Sequence, residues 1–269
     1  MANNSSLSRR AALRQQQEME ERTKRNKRVL FAGIGLVAVV VVVVMAIVIF
    51  QSIAKGRGVT EDQQTPPNAT AGYGILLNGT EPDESKPHLV LWEDFQCPAC
   101  KAYEETYGPI VKQLVDDGQM TAEIRTAFFL DGAAAYGPSR MAAIAAAAAD
   151  SVGKYTEYHD VVYANQPTEG VGYPSSQLRD DFAAQAGITG DDLTKFQDLF
   201  DSRAFADFTE KAEKKFESDG ISGTPAYLVS GQKLEFASQD GTMLIQPTAA
   251  DFLRAVNEAW EAGGKKTDS

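Results

Sequence analysis

The chain has 269 residues, of which 26 are Lys or Arg and 37 are Asp or Glu, giving a net charge of −11 at pH 7. The first 28 residues hold eight of the basic and three of the acidic side chains, so the remainder carries a net charge of −16. A folded part this acidic repels phosphate backbones and anionic lipid headgroups, which excludes nucleic acid as an expected partner.

The N-terminal region predicts a membrane anchor. Residues 1–28 form a basic, solvated tail, and Val29–Phe50 are 22 consecutive positions without a charged or strongly polar side chain, which is enough to span a bilayer as a helix. A cleaved signal peptide has a shorter apolar stretch and a small-residue cleavage pattern. Because the basic residues precede the span, the positive-inside rule places the N-terminus in the cytoplasm. We therefore expect a single-pass protein of the cell membrane whose C-terminal part is extracytoplasmic and meets oxidising conditions.

Residues 51–72 are rich in Gly, Pro and polar side chains with almost no apolar periodicity, which predicts a flexible linker. The pattern then changes to short apolar runs typical of buried strands, first at 74–77 and then at 88–95. Pro98 opens a helical stretch that ends at Gly118. Residues 120–130 predict the next strand, which completes a crossover unit with two parallel strands.

A long helical block follows between about 133 and 220, with predicted helices at 138–149, 154–165 and 176–186 and two more within 191–219. The segment TPAYLVSGQKLEF then predicts two strands joined by a turn at Ser230-Gly231, and a last helix covers about 248–262. Without the helical block, the order β-α-β then β-β-α is that of a thioredoxin-type α/β domain. We therefore predict one such domain over residues 73–262, with residues 133–220 as a helical insertion and residues 263–269 as a disordered tail.

Cys97 and Cys100 are the only cysteines, and they occur as Cys97-Pro98-Ala99-Cys100 after a predicted strand and at the start of a predicted helix. Free N–H groups and the positive dipole end at a helix N-terminus stabilise an anionic sulfur. We therefore expect Cys97 to be the more exposed nucleophile, with the lower pKa, and Cys100 to be the less exposed resolving thiol.

Other interpretations of the two cysteines are possible. A structural disulfide over a two-residue loop would constrain the unfolded chain little. A zinc site normally needs four ligands, and His88 and His159 are the only histidines, so no metal or cofactor is expected. Two unrelated buried thiols seldom occur at a strand-to-helix junction with a proline between them.

The segments WEDFQCPAC, YTEYHDVVYANQ and SGTPAYLVSG resemble the DsbA-like thiol–disulfide oxidoreductases over nearly all of residues 73–262. The resemblance implies a thioredoxin-like fold with a helical insertion. It also implies that Pro225, preceded by Thr224, is a cis-proline facing the cysteines, where it would expose backbone for pairing with a substrate peptide. An ordinary proline at a strand start is the alternative.

The chain departs from such proteins at two positions. Strong oxidants of this family often have His between the cysteines, where this chain has Ala99, and the loss of that donor should make the disulfide less oxidising. Thioredoxin-like proteins often place a buried carboxylate six residues before the first cysteine, where this chain has Leu91. Glu93 could replace it as a proton relay, although a solvated or salt-bridged carboxylate is the simpler interpretation. His159 reads as a packed or surface histidine, with a place beside the site as the alternative.

The sequence thus predicts an extracytoplasmic protein-disulfide oxidoreductase that forms disulfides in reduced exported proteins. Since no other cysteine is present to re-oxidise the pair, the resemblance implies a separate membrane redox partner. Two alternatives remain open, namely a disulfide reductase or isomerase, and a membrane-tethered folding or binding module without redox turnover.

Overall fold

The computed structural model describes residues 59–266, which lie in the second of two compact units of the chain. Among these residues, no helix combines the length and apolar character needed to cross a membrane. The predicted tail at 1–28 and the predicted span Val29–Phe50 lie outside the described residues.

A mixed five-stranded sheet forms the centre of the domain. Its strands are β1 (Ile75–Leu76), β2 (His88–Glu93), β3 (Thr121–Thr126), β4 (Ala226–Val229) and β5 (Gln232–Lys233). They are ordered β1-β3-β2-β4-β5, and only β2 and β3 run parallel. All six residues of β2 are buried, as expected for a central strand covered on both faces. Because β2 and β4 are antiparallel neighbours, the loop after β2 and the loop before β4 meet at the same end of the two strands.

The helices are α1 (Pro98–Asp116), α2 (Pro138–Asp150), α3 (Tyr155–Ala164), α4 (Phe182–Gln185), α5 (Gly190–Asp201), α6 (Ala206–Ser218) and α7 (Ala249–Ala262). Helices α2 to α6 all lie in the chain between β3 and β4, where the sequence predicts the helical insertion. In α2, every residue from Ala142 to Asp150 is buried, since alanine side chains let neighbouring helices approach closely. The domain is a mixed α/β thioredoxin-like fold with additional helices, as predicted.

The hydrophobic core has two parts. The larger part packs α1, α7 and the helical block against one face of the sheet. The smaller part lies on the other face, where Trp92 of β2 contacts Phe216 of α6 edge to face with ring centroids 5.4 Å apart. The strand that leads to the cysteines is therefore held between two layers.

Several predicted elements differ in their bounds. The predicted strands at 74–77 and 120–130 are shorter, because Leu77–Gly79 and Phe129–Asp131 form 3₁₀ turns. The predicted helix at 176–186 begins with π-helical geometry over Gln177–Asp181 before it continues as α4. The turn at Ser230-Gly231 is as predicted, with positive φ angles of 50° and 72° that match a two-residue hairpin.

Residues 59–72, which the sequence assigns to the flexible linker, form specific hydrogen bonds with the domain. The backbone N–H groups of Thr60 and Gln64 donate to Ser202 and Ala204 at 2.9 and 2.7 Å, and Asn68 donates from its backbone and its side chain to the buried Asp150. Specific hydrogen bonds thus connect the domain to a segment that has few apolar residues. At the start of the predicted disordered tail, the Ser230 hydroxyl donates to the carbonyl of Lys266 at 2.5 Å.

Candidate active site

Cys97 and Cys100 lie where β2 passes into α1. The backbone N–H of Cys97 donates to the Asp94 carbonyl at 2.9 Å, and Cys97 is the N-cap of α1, with Pro98 at the first helical position. Both cysteines are free thiols. Cys97 keeps 8% of its surface exposed and Cys100 none, while Pro98 and Ala99 between them are exposed. Only Cys97 can thus meet a second macromolecule in this conformation.

The two sulfurs have opposite acidities. The hydrogen bond from the Cys100 thiol lowers the pKa of Cys97 to about 6, although burial acts in the opposite direction. The side chain of Thr224 and the backbone N–H groups of Cys100 and Ala99 lower this pKa further. Burial, together with the neighbouring Cys97 and the charge of Glu93, raises the pKa of Cys100 far above its ordinary value. At neutral pH, Cys97 is therefore a thiolate and Cys100 a neutral thiol that can donate to it.

Thr224 and Pro225 lie directly opposite Cys97. Sγ of Cys97 lies 3.3 Å from the carbonyl oxygen of Thr224, to which the protonated thiol donates, although 127 positions separate the two residues. The Thr224–Pro225 peptide bond is cis, as the resemblance implies, and both residues are half-buried just before β4. The sulfur thus lies beside partly open backbone, where an incoming peptide could be received.

Glu93 is buried and hydrogen-bonded, rather than solvated. Its carboxyl group lies 2.7 Å from Nε2 of His159, which α3 of the helical block supplies. Burial disfavours a proton on His159, but the charge of Glu93 and the other acidic neighbours raise its pKa overall. His159 is therefore a packed histidine, as expected, and it also contacts Glu93 in the interior.

Glu104, which the sequence analysis missed, completes this cluster. It lies one helical turn after Cys100 on α1, and burial followed by the charge of Glu93 raises its pKa. Glu93, Glu104 and His159 each offer one ligand atom within 4.8 Å of the others, a spacing that a cation could bridge. Protons already compensate the negative charge of this cluster, because His159 is hydrogen-bonded to Glu93 and the pKa of Glu104 is raised. The i, i+4 spacing from Cys100 is the only signal of Glu104 in the sequence.

Asp94 fixes the turn before Cys97. Its carboxyl group accepts hydrogen bonds from the Ser139 hydroxyl at 2.5 Å, from the Gln96 N–H at 2.9 Å and from the Leu130 N–H at 3.2 Å. Burial raises the pKa of Asp94 to about 7 despite these bonds. These hydrogen bonds connect the turn to α2 and to the 3₁₀ turn at Phe129–Asp131.

Comparisons with known proteins indicate the same family and fold. A thioredoxin family model matches residues 82–245, more than half of the chain. No curated protein sequence matches significantly.

Several solved structures have the same fold. The chain is similar to oxidised DsbA of Mycobacterium tuberculosis, with 25% identity and a TM-score of 0.52 over 75% of this chain and 90% of that one. The reduced disulfide bond oxidoreductase DsbG of the same organism matches with 25% identity and a TM-score of 0.52, over 75% and 85%. MdbA, a thiol-disulfide oxidoreductase of Corynebacterium diphtheriae, has 21% identity and a TM-score of 0.55 over 65% and 91%, and shows the shared fold.

The fold and the paired sulfurs at a helix N-terminus define an enzyme of thiol–disulfide exchange. The chain belongs to the thioredoxin family, in which it is a DsbA-like protein-disulfide oxidoreductase.

Proposed function

We propose that the protein forms disulfide bonds in reduced exported proteins, with Cys97 as the exchanging sulfur and Cys100 as the resolving one. The observation that carries this proposal is the lowered pKa of Cys97 beside the Thr224 carbonyl, with Cys100 buried behind it. A thiolate that the fold stabilises favours the reduced enzyme, and hence favours transfer of the disulfide to a substrate.

The electrons balance in two steps. A substrate thiolate attacks Sγ of Cys97 in the oxidised enzyme, the Cys97–Cys100 bond breaks, and Cys100 leaves and takes up a proton. A second substrate thiolate then attacks the substrate sulfur of the mixed disulfide, and Cys97 leaves as a thiolate. The substrate loses two electrons to form its disulfide, and the enzyme ends as a dithiol.

Glu93 serves this reaction as the proton relay for Cys100. Burial makes an unprotonated Cys100 costly, so the sulfur needs a proton as it leaves. The Glu93–His159–Glu104 cluster holds protons beside it.

Re-oxidation needs an external acceptor of two electrons, since the chain has no third cysteine. We assign this role to a separate membrane partner, of the quinone-linked class. The apolar span Val29–Phe50 would hold the catalytic domain on the extracytoplasmic side, where both exported substrates and such a partner are found.

An oxidation assay tests the function. Oxidised protein should speed the formation of disulfides in a reduced, unfolded substrate, and Cys97→Ser should abolish this activity. The matched variant Cys100→Ser keeps the nucleophile without the resolving thiol, so when mixed with a substrate disulfide it should accumulate a mixed disulfide that Cys97→Ser does not form.

Two outcomes would favour the alternatives. A reduction potential close to or below that of glutathione, measured by equilibration with the glutathione couple, would favour a reductase or isomerase, as the absence of His at Ala99 would suggest. Full biological activity of the double Cys→Ser variant would show a binding module without redox turnover.

A further inference from the structure

The loop that follows α3 in the helical block contacts the active-site connection between β2 and α1. Gln166, two residues after the end of α3, donates from Nε2 to the carbonyl of Phe95 at 2.8 Å and to the carbonyl of Cys97 at 3.0 Å. Tyr173 donates its hydroxyl to the same Phe95 carbonyl at 2.8 Å. In the opposite direction, the side chain of Gln96 accepts a hydrogen bond from the N–H of Gly170 at 3.2 Å.

The hydrogen bond from Gln166 to the Cys97 carbonyl is the important one, because Cys97 is the N-cap of α1. This carbonyl also accepts the first backbone hydrogen bond of the helix, from Lys101 at 3.2 Å. The backbone angles of Cys97, φ −71° and ψ 117°, aim its side chain at Thr224 and at the free N–H groups of the helix. If only the bond from Lys101 held this carbonyl, the backbone could rotate about the Cα–C bond of Cys97. Such a rotation would change the direction of the Cys97 side chain relative to the helix.

The amide of Gln166 acts in a second way as well. A carbonyl oxygen carries partial negative charge, and this one belongs to the residue that bears the thiolate. The N–H dipole of Gln166 offsets that partial charge in a half-buried setting, where such dipoles act more strongly than in water.

We propose that Gln166, which lies in the helical insertion, is a positioning residue for Cys97. Its hydrogen bond to the Cys97 carbonyl fixes the orientation of that residue, so that the sulfur points at the helix N-terminus and at Thr224. The inference rests on the proposed exchange role of Cys97 and deepens it. It gives the helical insertion a direct part in setting the reactivity of a sulfur that belongs to the thioredoxin-like part of the fold.

The test uses Gln166→Met, which keeps the length of the side chain and removes the donor. The rate of Cys97 alkylation in the reduced protein is measured against pH, and the potential is measured against the glutathione couple. We expect the midpoint of alkylation to rise by roughly half a unit to one unit above the wild-type value, with a matching three- to tenfold loss of oxidising strength.

Asn165→Leu is the matched control. Asn165 adjoins Gln166 and also donates two side-chain hydrogen bonds, to Val161 and Gln185, but it does not bond to the active-site connection. This variant should lose stability without a change in the midpoint. Gln166→Ala, which cannot overpack, is measured in the same way and decides the matter if the methionine variant does not fold.

An unchanged midpoint in the folded Gln166 variants, or an equal rise in Asn165→Leu, would overturn the inference. Because the titration needs no substrate, its result is independent of the oxidation assay. A wild type that is inert in that assay but titrates normally would overturn the proposed function and leave the result for Gln166 intact.

Discussion

Cys97 and Cys100 differ in environment far more than their separation of three residues suggests. Cys97 ends a turn and borders open backbone, while Cys100 points from the first turn of α1 into the larger core. The N-terminal N–H groups of the helix reach the first sulfur, and apolar packing surrounds the second. One helix start thereby provides both a reactive thiolate and a protonated reserve.

This difference predicts how the stability of the reduced protein depends on pH. The pKa of Cys97 is about 6 in the folded protein against an ordinary value of 9.0, so the group stabilises the fold fully above pH 9 and loses this contribution as the pH falls through 6. Cys100 stays neutral in both states below pH 8 and adds no pH dependence there.

We expect the free energy of unfolding of the reduced wild type, relative to reduced Cys97→Ser, to rise by roughly 2 kcal/mol from pH 6 to pH 8. Urea unfolding at the two pH values measures this rise. The oxidised wild type has no thiol and is the control. A flat difference between the two reduced proteins would show that Cys97 is not a stabilised thiolate.

At the residue scale, the sequence identified the two cysteines and the Thr224–Pro225 pair, because a short motif carries each of them. It could not identify Glu104 or Gln166. Their contacts depend on the placement of α1 and α3 against β2, and local sequence does not determine that placement.

The contact between β2 and α3 is the main interaction at the scale of elements. The Glu93–His159 hydrogen bond joins the central strand to the helical block. Both groups are almost fully buried, with 2% and 3% of their side chains exposed, so their proton exchanges without free access to solvent. The insertion therefore contributes to the interior of the site as well as to its surface loop.

A substitution at His159 tests the proton relay. His159→Gln keeps a donor for Glu93 but cannot carry the extra proton. We expect reduction of the oxidised variant by dithiothreitol at pH 7 to slow by roughly 100-fold, as for loss of a general acid, while the alkylation midpoint of Cys97 stays near 6.

Glu157→Gln on the exposed face of the same helix is the control for this experiment and should reduce at the wild-type rate. If His159→Gln also reduces at that rate, the cluster has a structural role only.

Residues 59–72 form contacts that composition alone does not indicate. Few apolar residues and two adjacent prolines usually indicate a free chain. Here, backbone hydrogen bonds to the turn between α5 and α6, and the bonds from Asn68 to Asp150, fix the segment instead. Such bonds depend on carbonyl groups left open at the end of a distant helix, which a composition profile does not register.

The arrangement of the whole molecule about the membrane can be tested directly. In a Cys97→Ser, Cys100→Ser background, Ser6→Cys places a single thiol before Val29–Phe50, and Ser52→Cys places a single thiol after it. A maleimide that does not cross membranes should label Ser52→Cys in intact cells, and Ser6→Cys only after permeabilisation.

The alternative outcomes are distinct. Labelling of both variants in intact cells, or release of the domain as a shortened soluble chain, would contradict a single uncleaved span with a cytoplasmic N-terminus.

The outer strands of the sheet have a consequence for an enzyme that meets unfolded chains. A long exposed strand would invite a client to join it by strand addition, and the complex could then grow into an aggregate. The two edges here, β1 and β5, are each only two residues long. The sheet therefore offers little template for such growth.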